Sequence, residues 1–153
     1  MRKFIKKAIE IEKLMARTYQ EFLQSEHNDE ILAEIWSDLA KDEEEHAMQL
    51  EFATRLPLHD AFSGIADACP DPDQLYAFVS EIYHKARHGN PGKLEMLTAA
   101  VELENRLQGI HATHALIFKE TSLLKTFERL ADSEEKHVAG LENYLQRNAS
   151  QFA

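Results

Sequence analysis

Apolar residues return every three or four positions along most of this chain, the spacing of one helix face turned to a core. Residues 3–26 place Ile5, Ala8, Ile9, Met15, Ala16, Tyr19, Phe22 and Leu23 on one such stripe. A second helix is expected over 29–55, with Leu32, Ile35, Trp36, Leu39, Leu50 and Ala53 inward, Asn28 and Asp29 supplying caps and Pro57 ending it. Residues 57–72 hold three of the four prolines and are expected to be irregular. A shorter helix, 73–88, carries Leu75, Phe78, Val79 and Ile82, and Gly89-Asn-Pro-Gly92 breaks it. Two more long helices are expected. One spans 93–120 with Leu97, Ala100, Val101, Leu107, Ala115 and Phe118, and the other spans 122–148 with Leu123, Phe127, Leu130, Leu141, Tyr144 and Leu145. Each long helix would run roughly 37 Å. Tight joins make two hairpins, about 3–55 and 93–148, and the 56–92 crossover is long enough to travel the length of a bundle. The expected fold is all-α, an antiparallel four-helix bundle with one long crossover that carries an additional short helix. It forms a single domain over 1–153.

Composition narrows this further. At 44% hydrophobic, 153 residues can fill one core without staples. Five glycines and four prolines are too few for a sandwich or barrel with frequent turns. The single cysteine, Cys69, excludes an internal disulfide framework, a four-cysteine zinc site and an in-chain rubredoxin-type iron centre, and it is expected to be incidental. No apolar run is long enough to span a membrane. The basic start, Met1-Arg-Lys-Phe-Ile-Lys-Lys, lacks the features of a signal peptide, so a cytoplasmic protein is expected. A net charge of −10 disfavours nucleic acid as a partner.

The two halves repeat. Ala8-Ile-Glu-Ile-Glu matches Ala100-Val-Glu-Leu-Glu, and Leu39-Ala-Lys-Asp-Glu-Glu-Glu-His46 matches Leu130-Ala-Asp-Ser-Glu-Glu-Lys-His137. In both halves charged residues interrupt the apolar stripes at equivalent places. Glu12 and Glu104 stand singly where core residues belong. Glu43 with His46, and Glu134 with His137, are three apart and so share one helix face. Nineteen glutamates and eight histidines produce about one Glu-x-x-His by chance. A third pair, Glu81/His84, falls in the crossover helix without a repeat partner and is expected on the surface. Acids off the stripe, such as Glu10, Glu44, Glu45, Glu102 and Glu135, belong to solvated faces.

Four buried carboxylates cannot all stay ionised together without compensation. Two divalent cations bring +4 against −4, and neutral imidazoles fill nitrogen positions. An oxygen-rich set with two nitrogens suits iron, with manganese or zinc as alternatives. On this basis Replacing Glu104 by Leu should abolish metal binding and raise the melting temperature of the metal-free chain, because it removes a repelling, desolvated charge.

One Glu from each of two helices and Glu-x-x-His from each of the other two resembles the ferritin-like superfamily, and most closely the rubrerythrin-type di-iron domain. The resemblance covers both hairpins. It implies Glu12, Glu43, His46, Glu104, Glu134 and His137 as ligands of two iron ions, with Glu43 and Glu134 bridging. It also implies that Asp42 and Ser133, each preceding a bridging glutamate, hydrogen-bond the ligand histidines across the core. Tyr19 and His111, two turns after Glu12 and Glu104, are further candidates beside the ligands. Leu107 stands where rubrerythrins often carry an extra glutamate, and Glu44 where bacterioferritins carry a haem-ligating methionine, so haem is not expected. The implied activity is reduction of peroxide or O2 in oxidative-stress defence, with an external rubredoxin-like electron donor. The alternatives are a ferroxidase that handles iron and, from another class, a non-catalytic helical module stapled by metal. A homodimer is the expected assembly.

Overall fold

Among the described residues the chain forms five α-helices: α1 (Arg2–Leu23), α2 (Glu30–Ala53), α3 (Pro72–His88), α4 (Lys93–Ile117) and α5 (Thr121–Arg147). A short 3-10 turn, Ala149–Gln151, follows. The computed structural model describes residues 2–56, 71–119 and 121–152. The expectations for Pro57, Cys69 and the course of 57–70 lie outside the described residues.

The elements match the expected ones in number and order, and differ at their ends for identifiable reasons. α1 stops at Leu23 rather than 26, because the Asn28 side-chain amide donates to the carbonyls of Phe22 and Leu23, at 2.8 and 3.2 Å. The same Asn28 accepts from the Trp36 indole at 3.0 Å, which ties the turn to α2. Asp29 caps α2 by accepting from the Leu32 amide at 2.8 Å. Gly89 ends α3 where a Cβ would lie only 2.7 Å from the Lys85 carbonyl oxygen, so a side chain there would force the backbone to shift.

α1 packs along α2 and α4 along α5, while α2 also meets α5. α3 lies against α1 and touches α4. This all-helical arrangement is compatible with a four-helix bundle whose fifth helix packs outside it. α3 also explains which residues the stripes miss. Ile11, Leu14 and Thr18 are buried although they lie beside the expected stripe, whereas Ile9 is only half-buried. These three residues form a second stripe on the flank that α3 covers, where Lys7 pairs with Asp73 at 3.6 Å and sits over the Tyr76 ring. Met96, Leu103 and Ile110 form the matching flank of α4, and Val101 is only partly buried.

The apolar interior is in two pieces. One cluster includes Met15, Tyr19, Phe22, Leu32, Trp36, Leu39, Leu97, Leu141 and Tyr144. The other includes Ile5, Ala8, Leu50, Ala53, Phe118, Leu123, Phe127 and Leu130. On every one of α1, α2, α4 and α5 the residues between the two pieces are the polar ones singled out by the repeat. No helix among the described residues is long and apolar enough to cross a membrane.

Candidate metal centre

Glu12 on α1, Glu43 and His46 on α2, Glu104 on α4, and Glu134 on α5 are buried, and the His137 side chain on α5 is 9% exposed. The structure therefore brings all six sequence-predicted residues to one interior layer. His46 Nδ1 lies 3.1 Å from Glu43 Oε2, 3.1 Å from Glu134 Oε1 and 3.8 Å from Glu12 Oε2. His137 Nδ1 lies 3.1 Å from Glu104 Oε2, 3.1 Å from Glu134 Oε2 and 3.4 Å from Glu43 Oε1. The two rings are near parallel, with centroids 5.8 Å apart.

These contacts resolve into two sets of potential ligands. Glu12, Glu43, His46 and Glu134 form one, and Glu43, Glu104, Glu134 and His137 the other, each with its ligand atoms within 4.8 Å of one another. Glu43 and Glu134 belong to both. Each set is a buried group that can hold a metal ion.

The surrounding contacts follow the repeat. His137 Nε2 is 3.0 Å from Asp42 Oδ2, and His46 Nε2 is 3.0 Å from Ser133 Oγ, so each imidazole reaches across to the residue preceding the opposite Glu-x-x-His glutamate. The Tyr19 hydroxyl donates to Glu104, and His111 Nε2 lies 2.7 Å from Glu12 Oε1. All four residues named beside the ligands thus touch them. Leu107 is fully buried and Glu44 is exposed. Glu81 is exposed, pairs with Lys85 at 2.8 Å and stays on the surface with His84, as expected.

Burial opposes charge on His46, but Glu12, Glu134 and Glu43 outweigh it and hold the imidazole well above its usual range. His137 is raised in the same way, with Glu104, Glu134 and Glu43 overcoming burial. Burial raises Glu43 and Glu134, and neighbouring carboxylates add to it, Glu12 for Glu43 and both Glu43 and Glu104 for Glu134. Burial and the charges of Glu104 and Glu43 push Tyr19 up, so its hydroxyl remains a donor. Burial, with His46 nearby, lowers His111 to about 3 and keeps it neutral. Without metal, protons on the imidazoles and shared among the carboxylates do the charge balancing.

That balance is incomplete in hydrogen bonds. Glu12 Oε2, Glu43 Oε1 and Glu134 Oε1 are buried and accept no hydrogen bond among the described residues, because each Nδ1 is engaged by other carboxylate oxygens, His46 by Glu43 Oε2 and His137 by Glu104 Oε2 and Glu134 Oε2. Buried polar groups are ordinarily satisfied. Three orphaned carboxylate oxygens in one layer, beside two imidazole nitrogens, fit divalent cations as their missing partners.

His114 carried no spacing signal in the sequence, yet it is 2% exposed, and neither ring nitrogen has a hydrogen-bond partner among the described residues. It packs against Phe4, Phe118 and Phe127. Burial, helped by His111, lowers it to about 4. Its place on the covered flank of α4 could be read only once α4 was known to be buried on two sides. No family model, no curated protein and no solved structure matches this chain.

Proposed function

We propose that the chain is a non-haem di-iron protein of rubrerythrin type, in a ferritin-like bundle, that reduces peroxide or O2 with electrons from an external rubredoxin-like donor. The observation that carries this reading is the pair of Glu/His sets sharing Glu43 and Glu134 in a buried layer. Each set has its own imidazole and its own outer glutamate, His46 with Glu12 and His137 with Glu104, which supports two metal positions rather than one. Two divalent ions cancel the formal charge of Glu12, Glu43, Glu104 and Glu134, whereas one leaves two negative charges in the interior. Oxygen-rich donors with two imidazoles suit iron or manganese.

A bound iron pair supplies the two electrons that reduction of an O–O bond requires. The chain's residues prepare for it. His46 and His137 direct Nδ1 into the layer and give up protons there when cations bind. Asp42 and Ser133 orient those rings from behind. Tyr19 and His111 each hold one outer glutamate, Glu104 and Glu12, at a fixed angle. The two apolar clusters close the layer from either end and keep bulk water out.

Metal analysis after purification from iron-replete cells tests the reading, with about two metal ions per chain expected and none overturning it. Consumption of H2O2 driven by NAD(P)H through an added reductase and rubredoxin supports the peroxidase activity. Rapid Fe2+ oxidation with mineral formation, and no such consumption, assigns the site to iron handling instead. Two bound metals with neither reaction assign it to a metal-stapled module.

A further inference from the structure

The repeat makes the two halves of the layer equivalent in their candidate ligands but not in what stands behind them. Each half has one outer glutamate, one imidazole and a share of Glu43 and Glu134. Behind His137 stands the carboxylate of Asp42, and behind His46 the hydroxyl of Ser133, both at 3.0 Å from Nε2. These residues occupy the same position in the two halves of the sequence, immediately before the Glu-x-x-His glutamate.

We propose that the two cation positions fill in order, the Glu104–His137 position first, and that Asp42 is the positioning residue that sets this order. The proposal rests on the two-cation reading above. A carboxylate only accepts, so Asp42 holds one proton of His137 on Nε2, and the proton this ring gives up to a cation is the one on Nδ1, facing the layer. Asp42 also enriches the ring in electron density and adds a negative charge near the cation. A serine hydroxyl both donates and accepts, so Ser133 fixes neither the tautomer nor a charge for His46. Partners of this kind typically change metal affinity by roughly 10–100-fold. The Asp42 side chain is 48% exposed, which screens its charge and leaves the tautomer effect as the larger contribution. Each outer glutamate also contacts one neighbouring side chain, Glu104 the Tyr19 hydroxyl and Glu12 the His111 imidazole.

The consequence is a supply-dependent switch. At scarce metal the chain would carry one cation, and chemistry that needs two would wait for the Glu12–His46 position to fill.

Calorimetric titration of the metal-free full chain with Co2+, followed in parallel by its visible absorption, tests the order. Wild type is expected to bind in two steps. Asp42→Asn, which keeps size and leaves the fold's apolar contacts intact, is expected to weaken the first step roughly 10–100-fold and bring the steps together. Ser133→Asp is expected to strengthen the second step and close the gap from the other side. Repulsion between cations in equal positions would also separate two steps. In that case Asp42→Asn would leave the first step in place and weaken the second, and this result overturns the proposal. So does a single step of two equal equivalents in wild type. Wild type that binds no Co2+, Mn2+ or Fe2+ overturns the two-cation reading itself, whereas the preceding outcomes leave that reading standing.

Discussion

Glu104 shows why single-residue effects in this layer cannot be taken from charge alone. Its removal relieves repulsion in a crowded set of carboxylates, which favours the metal-free fold. It also strands the Tyr19 hydroxyl, which is fully buried and has Glu104 as its acceptor. An unsatisfied buried donor costs about 1–3 kcal/mol. Glu104→Leu should therefore gain less than the sequence-based expectation, and adding Tyr19→Phe should recover the difference, about 2–4 °C in melting temperature per kcal/mol. Thermal melts of the two metal-free variants check this, and equal melting temperatures would count against the Tyr19–Glu104 bond. His114 provides a second test at this scale. Its folded-state value of about 4 is below the ordinary imidazole value of 6.5, so the unfolded chain takes up its proton first as pH falls. Stability is lost between those two values, by up to roughly 3 kcal/mol at about 1.4 kcal/mol per pH unit. His114→Phe should flatten the stability profile between pH 6.5 and pH 4, measured by denaturant unfolding.

At the level of elements, Asp29 joins three helices. It caps α2, accepts from Lys93 of α4 at 2.9 Å and accepts from Tyr144 of α5 at 2.5 Å. Burial works against its charge, but Tyr144, Lys93 and the Leu32 amide outweigh it and lower its carboxyl to about 2. Its contribution is complete above the ordinary carboxyl range and is lost as pH falls through about 2. Asp29→Ala should cost about 1–2 kcal/mol near neutrality, the usual worth of a cap. The gap to wild type should shrink toward pH 2, as urea unfolding at each pH would show. The same scale explains which apolar residues were legible. Periodicity selected the face of α1 turned to α2 and the interior, and correctly placed Ile5, Ala8, Met15, Tyr19 and Phe22 there. It could not select Ile11, because the helix that covers that flank is α3, which arrives from the crossover. Ile11→Ala should cost about 2–5 kcal/mol, and Ile9→Ala clearly less, because Ile9 is only half-buried.

Across the whole molecule, the polar layer divides the core and leaves the interior short of positive charge. Cations that enter it displace protons held by His46 and His137, whose imidazoles stay protonated well above their usual range, and by Glu43 and Glu134, which are also raised. Affinity for divalent metal should therefore rise with pH, and uptake should release protons into an unbuffered solution. Titrations at pH 6 and pH 8 check the sign, and equal affinities would exclude these ligands. A cation that binds only the folded chain, at 100 times its dissociation constant, adds about 2.7 kcal/mol. The melting temperature should rise by about 5–11 °C, measured by calorimetry with and without metal.

The sequence by itself determined the helices, their order and the six residues of the layer. Each of these follows from local periodicity or from the repeat, and a charged residue on an apolar stripe is visible without coordinates. The repeat gave Asp42 and Ser133 only a position, directly before a glutamate of the motif, and their contact with the histidines was expected from the family resemblance rather than from spacing. The tertiary structure alone decided which atoms meet. It set His111 on Glu12 and Tyr19 on Glu104, and it buried His114 with no hydrogen-bond partner among the described residues. Those outcomes depend on how α1, α2, α4 and α5 are rotated and staggered against one another. Spacing along a single helix carries no information about that rotation.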